Sequence, residues 1–157
     1  MHMEYSVHWP NDFIHVHLEQ LLPGWSIPVA SVLVVLQKSH IALLNTTPET
    51  ESKKNQLRQR FIKFGCHTAV KLCKMGHLAD LFDPQTGLPV ISVPGQLKLD
   101  DVAVVHACLG YPITDRGGCL VIDHPAWGSA VYPSILVSSA HPEVVETVAR
   151  TAVTQEN

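Results

Sequence analysis

The densest run of residue types able to do chemistry is Thr114-Asp115-Arg116-Gly117-Gly118-Cys119, continued by Leu120-Val121-Ile122 and Asp123-His124-Pro125-Ala126-Trp127-Gly128. A glycine turn feeds a short, buried apolar strand that ends in a polar and aromatic corner. Cys119 at the strand start reads as a partly exposed thiol, and a thiolate can ligate a soft or borderline metal. The same spacing equally suits a packed hairpin with Trp127 in the core and His124 as a cap. Ten histidines and four cysteines (Cys66, Cys73, Cys108, Cys119) raise the question of a metal site. His15 and His17 are two apart on an expected helix and point in different directions. Cys66, Cys73 and His77 could share a helix edge, but an apolar stripe claims that edge and Gly76 stops the helix before His77. No C-x-x-C pair is present, so a zinc ribbon or thioredoxin motif is excluded. Without G-x-G-x-x-G, G-x-x-x-x-G-K-[ST] or H-E-x-x-H, a standard nucleotide or zinc-protease site is not expected.

The elements that must position these residues follow from periodicity and turn chemistry. Glu4 to His8 alternates as a short strand. Asn11 and Asp12 cap a helix to about Leu22, with Phe13, Ile14, Leu18, Leu21 and Leu22 at helical spacing and Pro23-Gly24 as its stop. Ala30 to Gln37 is β-branched and apolar, a central strand covered on both faces. His40 to Leu44 fits a short edge strand. Thr47-Pro48-Glu49-Thr50 opens a long helix to Met75, with Leu57, Phe61, Phe64, Thr68, Leu72 and Met75 on one stripe. Asp83-Pro84-Gln85-Thr86-Gly87 reads as a turn joining strands at His77 to Asp83 and Leu88 to Val93. Leu99 to Leu109 is a helix with Asp100 and Asp101 in its first turn. Cys119 to Asp123 and Ala130 to Ser138 are strand runs joined at His124 to Gly128, and Pro142 opens a last helix ending near Arg150. The expected fold is one α+β domain over residues 1–157, with a mixed, largely antiparallel sheet and packed helices.

The chain has 157 residues, 46% apolar and 16% charged, enough for one self-sufficient core. A net charge of −3 argues against a nucleic-acid partner. No apolar run is long enough to span a bilayer and no signal or transit pattern is visible, so no membrane association and a cytoplasmic location with reduced, buried thiols are expected. Charge is segregated. Residues 49–76 carry seven Lys/Arg against two Glu, while residues 77–157 carry three against nine Asp/Glu. The basic stretch is either a solvated helix face or a docking surface, through Lys53, Lys54 and Arg58, for an acidic partner.

Two stretches carry a resemblance to a known family. One is Gly76-His77-Leu78-Ala79-Asp80-Leu81-Phe82-Asp83-Pro84-Gln85-Thr86-Gly87-Leu88. The other is Leu109-Gly110-Tyr111 with Asp115, Gly117, Gly118, Cys119, Val121, Ile122, His124, Trp127 and Gly128. Together with Glu19, Leu21 and Pro23 closing the first helix, they resemble the C-terminal domain of the CblD (MMADHC) family of cobalamin trafficking proteins. The resemblance covers nearly the whole chain. It implies a modified nitroreductase-like α+β fold that has lost flavin and has no catalysis of its own. It also implies an adaptor that docks on a CblC-type cobalamin-processing protein and helps route the cofactor to cobalamin-dependent enzymes.

On this reading no cofactor is bound tightly, and cobalamin is contacted through the partner. Asp80, Asp83, Pro84, Gly87 and Gly128 shape the structural motifs. Gly117, Gly118, Cys119, His124 and Trp127 line the corner that meets the corrin. In the family a thiolate of a Cys-Cys pair can coordinate cobalt. Here the first cysteine falls on Gly118 and only the second on Cys119. Either Cys119 takes over, or cobalt ligation is absent, since neighbouring strand residues point to opposite faces. The D-x-H-x-x-G pattern of other cobalamin enzymes is missing. The chain also lacks the long N-terminal region and leader of the animal proteins, which suggests a minimal form. A small flavin-dependent nitroreductase-like enzyme is the alternative, although the basic residues lie on one helix rather than at phosphate-binding loops. A stable domain that binds an unrelated protein is a third reading.

Overall fold

A computed structural model describes residues 2–44 and 46–156. Eleven elements are described: β1 (Met3–His8), α1 (Asp12–Val16), α2 (Leu18–Leu21), β2 (Ser31–Lys38), α3 (Pro48–Lys74), β3 (Ala79–Phe82), α4 (Asp101–Leu109), β4 (Ile113–Arg116), β5 (Cys119–Ile122), β6 (Val131–Ser138) and α5 (Pro142–Glu156). Four strands form one sheet in the order β1-β2-β6-β3, and β4 pairs with β5 as a separate ribbon. Every described pairing is antiparallel, so the expected mixed sheet is corrected to a wholly antiparallel one within the α+β class.

β2 sets the architecture. All its residues but Lys38 are buried, and its side chains alternate between two cores. Val32, Val34 and Leu36 pack on one side with Ile14, Leu21, Val104, Val105 and Ile122. Leu33 and Val35 pack on the other with Phe61, Phe64, Leu72, Val145 and Val148. The sheet is therefore the middle layer. α3 and α5 cover one face, and α1, α2, α4 and the β4-β5 ribbon contribute to the other.

α3 follows its sequence closely. Thr47 Oγ1 accepts the Thr50 N–H, Pro48 opens the first turn, and Leu57, Phe61, Phe64, Thr68 and Leu72 are buried. Gly65, the one interior breaker, is a packing requirement: a Cβ there would lie 2.8 Å from Leu81 Cδ1 on β3. Met75 is exposed, because the helix has already ended at Lys74.

Several expected elements differ. The first helix breaks at His17, whose backbone leaves helical geometry (φ −106°, ψ 20°). Ile14, Leu21 and Leu22 are buried while Phe13 and Val16 stay exposed, an arrangement the break permits. No strand forms at 40–44 among the described residues, because Ser39 Oγ accepts the Ile41 N–H and turns the chain. Asn45, which follows this stretch, lies outside the described residues. β5 does not form a hairpin with β6. It pairs with β4, and its first two residues are exposed rather than buried. α5 runs beyond Arg150 because Ala152 is drawn into the core with Val148 and Ala149. The four cysteines are free, as expected, but Cys73 and Cys119 are exposed and only Cys66 and Cys108 are partly buried. No described helix is long and apolar enough to cross a membrane.

Candidate functional site

The turn after β3 is built as its residues demand. The Thr86 and Gly87 N–H groups donate to the Asp83 carbonyl at 3.2 and 2.7 Å, and the Asp83 N–H donates to the Leu88 carbonyl at 2.9 Å. The expected return strand at 88–93 does not form; only an isolated bridge joins Phe82 and Pro89. Asp80 explains why. Its carboxylate is fully buried and accepts the N–H groups of Leu81, Val90, Ile91 and Ser92 at 2.6–3.2 Å. The chain after the turn wraps a carboxylate instead of extending a ladder. Trp25 Nε1 donates to Ser92 Oγ and holds the far end of the wrap.

Asp83 does different work. Arg58 of α3 grips it bidentately, Nε to Oδ1 at 2.7 Å and Nη2 to Oδ2 at 2.6 Å. That guanidinium holds the Asp83 carboxyl below the usual carboxylate range, against the opposing effect of burial. Arg58, one of the candidates for a docking face, uses its guanidinium to fasten α3 to the turn. Lys54 pairs with Glu51 at 3.5 Å, and Lys53 borders a shallow hollow with His40 and Gln56.

Beside the turn opens a cavity of about 680 Å³. Its walls are the first half of α3 with Lys54 and Arg58, turn residues 84–87, the start of α4, all of β5, and residues 131–133 of β6. The space exists because β3 is short: its pairing ends at Ile135, so Tyr132 and Pro133 have no strand beyond them on that edge. Pro84 and Gly87 from one sequence motif and Cys119 from the other thus face a single cavity, with the Cys119 side chain exposed at its margin.

Val121 and Ile122 of the second motif line the cavity too, whereas its glycine turn and its His124–Gly128 loop lie outside it. Gly117 and Gly118 form the loop between Arg116 and Cys119, both with positive φ (65° and 89°), the conformation of a two-residue primed hairpin turn. Because Gly118 sits in the turn, strand alternation does not govern its relation to Cys119. His124 and Trp127 follow β5 at its other end, and neither lines the cavity. An extended strand advances about 3.3 Å per residue, so the expected single corner is divided in two. His124 Nδ1 accepts the N–H groups of Ala126 and Trp127 at 3.0 and 3.1 Å, which leaves the proton on Nε2, facing Glu4 at 3.0 Å. Its ring stacks on Trp127 at 4.1 Å and meets Tyr111 edge-on at 5.5 Å. Gly128 closes the loop by exchanging two 2.9 Å hydrogen bonds with His124. With both nitrogens engaged, this histidine is a latch between the loop and β1. Among the described residues no group of three or more His, Cys, Asp or Glu could hold a metal ion.

Sequence reasoning missed Asp101 and Tyr132 as cavity residues. Asp100 is the cap of α4, its Oδ1 accepting the Val102 and Ala103 N–H groups at 3.1 and 3.2 Å. That leaves Asp101 spare. Its Oδ1 is sealed from solvent without a hydrogen-bond partner, and burial, with Asp100 and Asp83 nearby, pushes its carboxyl well above the ordinary range. Burial and the same acids Asp101 and Asp83 push the Tyr132 phenol up as well. The readable signals were the doubled Asp at a helix start, of which one side chain suffices for capping, and a tyrosine interrupting an apolar strand.

Comparison with known proteins bears on this arrangement. The family profile described as "Methylmalonic aciduria and homocystinuria type D protein" matches residues 1–149. Proteins named "Cobalamin trafficking protein CblD" from Gallus gallus and Homo sapiens are 25% and 26% identical over 132 residues, 84% of this chain and 45% of each of theirs. The Rattus norvegicus protein of that name is 27% identical over 122 residues, 78% of this chain and 41% of its own. The chain thus spans less than half the length of these relatives.

Proposed function

From the premise that this chain belongs to the methylmalonic aciduria and homocystinuria type D family, we propose that it is a non-enzymatic cobalamin trafficking adaptor. It docks on a CblC-type cobalamin-processing protein and helps pass the cofactor to cobalamin-dependent enzymes. The relatives' name, cobalamin trafficking protein, supports the role. The observation that carries the reading is the joining of the two motif stretches, turn 83–87 and the Cys119 hairpin, at one open cavity. An exposed thiol at that margin can approach a corrin held by a partner, and a soft sulfur donor suits lower-valent cobalt. Arg58 and Asp83 support the surface by fixing the turn, and Lys53 and Lys54 remain for docking. The layered fold is taken as a modified nitroreductase-like fold working without flavin in the cytoplasm.

The test is a visible absorption titration of reduced cobalamin with this chain, alone and with a CblC-type protein, for wild type and Cys119→Ala. A complex-dependent band that the variant loses supports docking with cobalt ligation by Cys119. Complex formation with identical spectra retains the adaptor and removes the cobalt ligand. Absence of any complex, or a flavin spectrum in the purified protein, overturns the adaptor reading.

A further inference from the structure

The cavity between the first turn and β5 holds more than the thiol at its margin. It is lined by three cations (Lys54, Arg58, Lys98) and, besides Asp101, by Glu51 and Asp100; with Asp83, the carboxylate that pairs Arg58, the three cations meet three anions even when Asp101 is neutral. Arg58 is committed to Asp83 and Asp100 to capping α4. Asp101, half-buried as a residue, presents a carboxyl group whose Oδ1 is sealed from solvent and has no hydrogen-bond partner. An orphaned buried polar atom is costly, so it calls for a reason. Leu99, Val121, Ile122, Val131 and Pro133 supply apolar wall around it.

We propose that this cavity binds a primary carboxamide, with Asp101 as the residue that reads it. A balanced wall has no field to attract a free ion, and a partly apolar cavity makes a bare charge expensive to desolvate. Burial keeps the Asp101 carboxyl toward its neutral form, which offers one O–H donor and one carbonyl acceptor. A primary amide presents the complement, an N–H donor and a carbonyl acceptor, and the two close a paired ring of hydrogen bonds. The soft terminal torsion of Asp lets either oxygen turn toward the cavity. Tyr132, on the same wall, retains its hydroxyl proton as a second donor. That the amide belongs to a corrinoid, whose rim carries carboxamide arms, rests on the trafficking reading above.

The site is tested by NMR with propionamide, using propionate and propylammonium as controls, on wild type, Asp101→Leu, Asp101→Asn and Val121→Trp. Expected is saturable, roughly millimolar propionamide binding at the amides of Val102, Val121 and Tyr132, of the order allowed to so small a ligand. Asp101→Leu weakens it at least about tenfold, about 1.4 kcal/mol. Asp101→Asn, which keeps one donor and one acceptor, stays within about threefold. Val121→Trp fills the cavity and abolishes binding even if Asp101→Leu does not fold. No saturable shift in folded wild type, or preferential binding of either control ion, overturns the proposal. A parallel titration with cobalamin separates the two readings. Propionamide binding without cobalamin binding, alone or with the partner, keeps the carboxamide site and removes its corrinoid bearer. Cobalamin binding unaltered by Val121→Trp, with no propionamide site, does the reverse.

Discussion

Three aspartates within 22 positions, Asp80, Asp83 and Asp101, have three different environments, and the protonation of Asp83 and Asp101 answers pH in opposite directions. Asp83 is held low by Arg58, so its contribution to stability is present above the ordinary carboxylate pKa and is lost as pH falls through its depressed value. Asp101 is pushed high, so the folded state favours its proton and stability falls as pH rises from about 4, the ordinary carboxylate pKa, through the raised value. Asp101→Asn removes that penalty. Its melting temperature should exceed wild type at pH 7, with the difference shrinking toward pH 4. Asp83→Asn should lose about 1.5–3 kcal/mol at pH 7, the range for a hydrogen bond to a charged group, with the loss shrinking in acid. Thermal unfolding at both pH values checks the pair. Equal, pH-independent changes in the two variants would contradict this assignment.

At the scale of the element, the β4-β5 ribbon depends on its turn. Gly118 occupies φ 89°, a region that costs an L side chain about 1–2 kcal/mol. Open space surrounds the position where its Cβ would be, so the cost is conformational and not a clash. Gly118→Ala should lower the melting temperature by about 2–8 °C, at roughly 2–4 °C per kcal/mol for a chain of this size. Gly118→Cys, which restores the doubled cysteine of the family pattern, carries the same cost and places its thiol in the turn rather than on β5. An unchanged melting temperature in both variants would mean that the ribbon relaxes to another turn. α3 is the contrasting element. Its cap, length and apolar stripe were legible because all three are local, whereas the need for Gly65 was not, because Leu81 approaches it from another element.

Across the whole molecule, one sheet separates two cores, and the basic half of α3 borders the cavity margin opposite the β4-β5 ribbon. Arg58 is engaged in an internal pair, while Lys54 makes only a 3.5 Å contact with Glu51 one turn away, so Lys53 and Lys54 are the cations proposed to meet an acidic partner. Lys53→Glu combined with Lys54→Glu should weaken the proposed complex with a CblC-type protein mainly through its association rate, and more at low ionic strength than at high. Stopped-flow association at two salt concentrations measures this, and rates equal to wild type at both would exclude that face. The amino-acid order alone determined the α+β class, the central strand, the long helix, the Asp83–Gly87 turn and the family, since these rest on local periodicity, caps and contiguous motifs. It also pointed to Asp80, Asp83 and Cys119. Tertiary structure decided what those residues do: Asp80 gathers backbone amides from 90–92 in place of a strand, Arg58 turns inward, β5 divides Cys119 from His124, and a short β3 leaves a cavity around Asp101. Each depends on which distant segment arrives to satisfy a buried polar group or end a sheet edge, and that information is carried by packing rather than by neighbours along the chain.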